Sequence, residues 1–242
     1  MQLKTHNLFI NWSIMKILGV DTATSYLALG IVTENKILSE LRFDARQTHA
    51  QLLMPNINKI LEEAGQKLKD LDGIAISIGP GSFTGLRIGL ATVKGLCYAS
   101  GKPLVAISSL DALTYLNRTV LYPLVPIMDA KKGEVYSAIY EVKENIIKRI
   151  SKYWVTSVEK LVAKIPKEVI FLGPDLEIFK AELLELYKGK AHFIEGDSNL
   201  PSGTAVAFLG LEKLKKNDYE NLDGIEPLYV RKSEEELRFG HG

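Results

Sequence analysis

Ile76-Ser77-Ile78-Gly79-Pro80-Gly81-Ser82-Phe83-Thr84-Gly85-Leu86-Arg87-Ile88-Gly89 decides the fold. An apolar strand runs into a Gly-Pro-Gly turn and leaves it as a helix. Glycine lets the backbone there take positive φ and pass close to another group. Pro80 fixes φ and stiffens the turn. Ser82 or Thr84 caps the helix that follows. A helix start of this kind carries unpaired N–H groups and a partial positive charge, which suits an anion. No Lys follows the last glycine, as a Walker loop requires, and the glycine spacing is not that of a dinucleotide fingerprint. Two readings stay open: a tight strand–helix turn, and a phosphate cradle to which Gly79, Gly81 and Ser82 contribute.

The flanking sequence alternates strands and helices. Apolar strands are predicted at 16–20, 26–32 and 37–43, joined by short turns into an antiparallel meander. Residues 49–64 read as a helix with Leu52, Leu53, Ile57, Ile60, Leu61 and Ala64 on one stripe, bent by Pro55 and closed by Gly65. A strand at 73–78 precedes the quoted turn, and the second helix runs to about residue 99. A strand at 104–107 and a short helix at 110–115 follow. Then the opening pattern returns: strand 123–129 ends in Asp129, Ala130-Lys131-Lys132-Gly133 turns, and 134–142 runs back. Asp21 and Asp129 hold equivalent places 108 residues apart, a weak internal repeat. A strand at 150–155, a helix at 158–163, strands at 169–172 and 191–194, and helices after 175 and at 204–216 complete the chain. The division expected is an extension at 1–14, a first α/β lobe at 15–118, a second, degenerate lobe at 119–232 whose last helix is free to return to the first, and a tail at 233–242.

The 242 residues are 46% apolar with a net charge of +1. That is an ordinary globular balance, with no global field directed at nucleic acid or membrane. The basic runs at 143–152 and 213–216 read as solvated faces. One cysteine, Cys97, excludes a disulfide framework within the chain and fits a cytosolic, reduced compartment; its apolar helical setting argues a small core residue, not a nucleophile. The hydrophobic run around Leu8 to Trp12 is too short to span a bilayer and lacks a signal-cleavage pattern.

Two lobes that each open with an Asp-bearing β-hairpin resemble the actin, sugar kinase and Hsp70 ATPase superfamily, a duplicated ribonuclease H-like fold. Finer motifs resemble the bacterial TsaB (YeaZ) family: Gly19-Val20-Asp21-Thr22-Ala23-Thr24, Thr48-His49-Ala50-Gln51-Leu52-Leu53-Met54-Pro55, the quoted turn, Ser108-Ser109-Leu110, Asp129-Ala130-Lys131-Lys132-Gly133-Glu134-Val135-Tyr136 and Pro227-Leu228-Tyr229-Val230-Arg231. The resemblance covers about 15–231. It implies a role in making N6-threonylcarbamoyladenosine at position 37 of tRNAs that read codons starting with A. The implied partners are the catalytic paralogue TsaD and the ATPase TsaE, with this chain as a dimerisation or scaffold subunit, a homodimer in isolation, meeting tRNA only through the complex. An older glycoprotease-like classification of the group implies a peptidase.

Residue chemistry favours the scaffold. The resemblance implies that the catalytic paralogue holds a metal on a His-x-x-x-His pair, whereas His49 here is followed four residues later by Leu53, so no metal is expected. No base or orienting acid is spaced to serve Ser82 or Ser25 as a nucleophile. In the superfamily the two Asp hairpins clasp nucleotide phosphates and Mg²⁺; Asp21 and Thr22 match that place, but Lys131 and Lys132 replace the small second turn, so weak ATP or ADP binding is the most that follows. A nucleotide-binding ATPase or kinase is the alternative function. Gly85 and Gly89 recur one turn apart and have a packing reason: close contact with the chain's own sheet, or a partner helix. On the second reading, Met54, Asn58, Gly85, Gly89 and Val93 form a subunit interface.

Overall fold

The computed structural model describes residues 14–45 and 48–231; the expected extension up to residue 13 and the tail, with His6 and His241, lie outside the described residues. Strands β1 (Lys16–Asp21), β2 (Tyr26–Thr33) and β3 (Ile37–Asp44) form the antiparallel meander, and β4 (Gly73–Ser77) and β5 (Leu104–Ile107) join β1 in parallel. The order is β3-β2-β1-β4-β5. Strand period two sends alternate side chains to opposite faces. Leu18 and Val20 of β1 pack with α1 (His49–Glu63) and α2 (Phe83–Ser100), while Ile17 packs with α3 (Ser109–Tyr115) and α6 (Gly203–Leu214). Helix α6 therefore lies on the first sheet although it is last in sequence. Helix α1 continues through Pro55, and Gly101, in a left-handed conformation, stops α2.

The second lobe departs from the expected single strands. Residues 123–129 form β6 (Leu124–Pro126) and β7 (Met128–Asp129), and the return strand is split into β8 (Glu134–Ser137) and β9 (Tyr140–Lys143). At Ile127 the N–H bonds to Leu172 of the neighbouring strand, whereas Met128 pairs with Tyr136, so the hairpin changes sheets in mid-run. Of the strand expected at 150–155 only its last two residues are in a strand, β11 (Trp154–Ser157), and β10 (Ile146–Arg149) lies before it. With β12 (Glu168–Leu172) and β13 (Lys190–Phe193) the order is β10-β9-β6-β12-β13, beside a small sheet β11-β8-β7. Helices α4 (Val158–Val162) and α5 (Leu176–Leu186) cover a core built on Phe171, Leu176 and Leu183. A further apolar cluster joins the lobes: Ala23 and Leu86 from the first meet Met128, Tyr140 and Leu172 from the second, with Leu110 and Leu113 of α3 between them.

Helix α2 settles the glycine question in favour of this chain's own packing. Gly85, Gly89 and Val93 are buried. A Cβ at Gly85 would overlap the carbonyl oxygen of Thr22, and one at Gly89 would overlap the Thr22 hydroxyl and press on Ile76. The three residues face inward and present nothing to a partner helix, which corrects their assignment to a docking surface. Overpacking a filled site costs about 1–3 kcal/mol. Gly89→Ala should destabilise the protein by that amount in chemical denaturation, and Gly89→Leu by more; an unchanged midpoint for both would refute this packing.

Candidate functional site in the cleft between the lobes

A cleft of about 780 Å³ opens between the lobes. The β1–β2 turn supplies Ala23, Thr24 and Ser25, and the quoted turn supplies Gly81 and Ser82. The second lobe contributes Met128 to Lys132, Tyr136 and Asp175, and the C-terminal segment 228–231 crosses the opening. The first wall is fixed by backbone contacts. Ser82 N–H donates to the Ala23 carbonyl at 2.7 Å, and the Thr22 hydroxyl donates to the Gly85 carbonyl at 2.9 Å. Ser82 Oγ accepts the Gly85 N–H at 3.3 Å as a helix N-cap.

The second wall is occupied by its own charges. Asp129 accepts the Lys131 N–H at 2.7 Å and pairs with the Lys131 ammonium, while the Asp129 N–H donates to Asp175 at 2.9 Å. Burial raises the Asp175 carboxyl above the usual carboxylate range, and the Asp129 charge adds to the effect. Lys131, Lys132 and Gly133 all take positive φ and are exposed at the edge of the cleft. Across the opening, Leu228 N–H bonds to Ile78 in the first lobe at 2.8 Å, and Arg231 bonds to Ala130 at 3.0 Å and pairs with Glu134 in the second. Between these anchors Tyr229 lies 5.2 Å from the Phe83 ring and accepts a hydrogen bond from Arg87 at 3.1 Å. The tail motif marked this segment in the sequence, but no periodicity indicated that it bridges the lobes.

Of the residues expected to hold a nucleotide, Gly81 and Ser82 line the cleft, and Asp21, Thr22 and Gly79 do not. Asp21 is 2% exposed, accepts the Ala23 N–H at 2.8 Å and bonds to Ser77. Burial pushes its carboxyl up to about 6. His49 is 4% exposed with Nε2 3.2 Å from the Tyr26 carbonyl, and Leu53 is sealed in the core. Burial pushes the Cys97 thiol up to about 12, which removes it as a nucleophile. Among the described residues, no group of three His, Cys, Asp or Glu side chains is placed to hold a metal, and no helix is long and apolar enough to cross a membrane. Met54 and Asn58 stand on the outer face of α1.

Fold and cleft together define a two-lobed α/β protein of actin-like ATPase architecture. A solved structure described as YeaZ from Pseudomonas aeruginosa superposes with a TM-score of 0.78 at 23% identity, covering 89% of this chain and all of that one. Component A of (R)-2-hydroxyglutaryl-CoA dehydratase from Acidaminococcus fermentans shares the architecture more distantly, with a TM-score of 0.51, 10% identity and coverage of 83% and 99%. The family described as "TsaD: tRNA N6-adenosine threonylcarbamoyltransferase" matches residues 42–238. Two relatives carry the name tRNA threonylcarbamoyladenosine biosynthesis protein TsaB. The one from Bacillus subtilis is 27% identical over 93% of this chain and 98% of its own length. The one from Escherichia coli is 32% identical over 54% and 57%. The chain belongs to this family, in its TsaB (YeaZ) branch.

Asp21 yields a pH test. Its folded pKa is raised, so between about 4 and 6 the folded state binds more protons than the unfolded one and stability falls as pH rises. The penalty is complete above pH 6 and amounts to about 3 kcal/mol. Asp21→Asn should be more stable than the wild type at pH 7 and should lack this fall in denaturant melts across pH 4–7. A variant less stable at pH 7, with the slope retained, would contradict the assignment.

Proposed function

We propose that this chain is a non-catalytic scaffold subunit in the synthesis of N6-threonylcarbamoyladenosine at position 37 of tRNA. As a member of the TsaB branch it works in that pathway. The finer role is to dock the catalytic paralogue TsaD, with TsaE joining the pair, and to form a homodimer when the paralogue is missing. Its place of work is the cytoplasm. The observation that carries the reading is the fate of the helix that begins at His49. The imidazole rests on the Tyr26 carbonyl, and the residue one turn on is Leu53, which is 1% exposed in the core. That helix face is used for packing.

Docking falls to the outer face of α1 and α2. Met54 is 39% exposed, Tyr98 57% and Phe83 36%, with Asn58 beside Met54 on α1. Exposed apolar and aromatic side chains of this kind suit a protein partner. The competing reading, a nucleotide-binding ATPase or kinase, has the cleft volume in its favour. Against it, Asp129 is engaged by Lys131, and Arg231 is seated on the hairpin that would have to receive phosphates. For a peptidase, Ser82 would have to be a nucleophile, yet its hydroxyl accepts the Gly85 N–H and His49 is committed elsewhere.

Met54→Glu combined with Asn58→Glu places two charges on the exposed face of α1. Co-purification with the TsaD-type paralogue should fall at least tenfold with an unchanged melting temperature. Normal complex formation by this variant would put the docking surface elsewhere. ATP titration calorimetry separates the competing reading: the scaffold shows no micromolar affinity, and the enzyme does.

A further inference from the structure

We propose a second site, outside the cleft: a phosphate-binding hollow for an RNA strand, built on Arg118 and Arg149 between α3, β10 and α6. It rests on the reading above only in that RNA is the polyanion such an assembly has to hold. The hollow is about 200 Å³ and is lined by Thr114, Tyr115, Arg118, Asn145, Arg149 and other residues of these elements. Each arginine lies over a tyrosine ring. The Arg118 guanidinium carbon is 3.8 Å from the Tyr115 centroid, and that of Arg149 is 4.1 Å from the Tyr153 centroid. Backbone carbonyls hold them as well: Arg118 Nε donates to Tyr115 at 3.1 Å, and Arg149 donates to Ser151.

Two carboxylates border the hollow, and both are engaged by tyrosines. Asp111 accepts the hydroxyls of Tyr140 at 2.6 Å and Tyr153 at 3.0 Å, and Glu212 accepts that of Tyr115 at 3.2 Å. Among the described residues the arginine ion pairs are those of Arg42 and Arg231; Arg118 and Arg149 form none. Two guanidinium groups, oriented by stacking and in no ion pair, thus face one small space, which the Asp111 and Glu212 carboxylates also line. Guanidinium forks match phosphate oxygens, and stacking reduces the freedom given up on binding. The hollow is smaller than the roughly 300–1,000 Å³ that enclose a whole cofactor and is of a size for one phosphate and part of its sugar. Lys148 on β10 and Lys152 just beyond it are exposed, and Lys148, next to Arg149 in the strand, points to the opposite face and stands opposite Glu141. Arginine–phosphate interactions of this type position a backbone without reading its sequence.

The test uses the full chain and fluorescently labelled tRNA at low ionic strength. Arg118→Gln with Arg149→Gln should weaken binding at least tenfold and flatten the dependence of log K on log salt by about 0.7–0.9 for each phosphate no longer neutralised. A charge-matched control at the end of α6, Lys215→Gln with Lys216→Gln, should leave affinity within twofold. Arg118→Lys with Arg149→Lys, which keeps the charge but loses the planar fork, should weaken binding about threefold and decides the matter if the glutamine variants fail to fold. Equal weakening in the arginine-to-glutamine and control pairs would mean net charge alone, and unchanged binding in the glutamine and lysine variants would mean no site; either overturns the proposal. So would displacement of tRNA by millimolar inorganic phosphate or adenosine monophosphate acting through Arg118 and Arg149, which would make the hollow a small-anion pocket. Co-purification with the TsaD-type paralogue is scored separately. A chain that binds tRNA through the arginines but ignores the paralogue defeats the scaffold reading alone, and one that assembles but binds tRNA indifferently to the arginines defeats the RNA site alone.

Discussion

Helix α2 meets the end of β1 with almost no side chain between them, and the rest of the molecule is arranged around that contact. Thr22 donates its hydroxyl to the Gly85 carbonyl and fills the space that a side chain at Gly89 would need. Ser82 N–H closes the same joint on Ala23. The contact fixes the pitch of α2 over the first sheet. Through α2 it sets one wall of the cleft and the outer surface that α2 shares with α1. Close-packed interiors do not tolerate a methylene in such a place, so one joint governs both the fold and the surface proposed for docking.

The two lobes are tied at several further points. A shared apolar cluster runs between them, Asp111 of α3 takes two tyrosine hydroxyls from the second lobe, and the segment 228–231 anchors on both sides of the opening. Apolar packing and part-buried hydrogen bonds thus join the lobes. Enzymes that close on a substrate rely on a few hinge residues and an otherwise weak interface. The tie between the lobes suits the scaffold role proposed above. The raised carboxyls of Asp21 and Asp175 follow from the same burial and belong to the folding energetics of the chain.

Much of this was legible in the sequence because the physics is local. The meander, helices α1 and α2 and the Gly101 stop follow from periodicity and glycine placement, and they match the structure within a residue or two. The strand breaks at Ile127 and near Ala138 were not legible, since a strand that changes sheets keeps its apolar pattern throughout. The glycines of α2 showed that something packs closely but not what, because Thr22 is more than sixty residues away in sequence. Asp21 reads as a phosphate-side carboxylate by position, and only the fold reveals that it is enclosed. Likewise, nothing in the spacing of Arg118 and Arg149 suggests that one hollow receives both.

Hydrogen exchange of the full chain, read by mass spectrometry with and without the TsaD-type paralogue and with and without ATP, tests the central claim most directly. The scaffold account predicts that the paralogue slows exchange along α1 and α2, while ATP alone leaves the 79–82 turn, the 130–133 hairpin and the 228–231 segment unchanged. Protection of those three segments by ATP, with α1 and α2 indifferent to the paralogue, would contradict it.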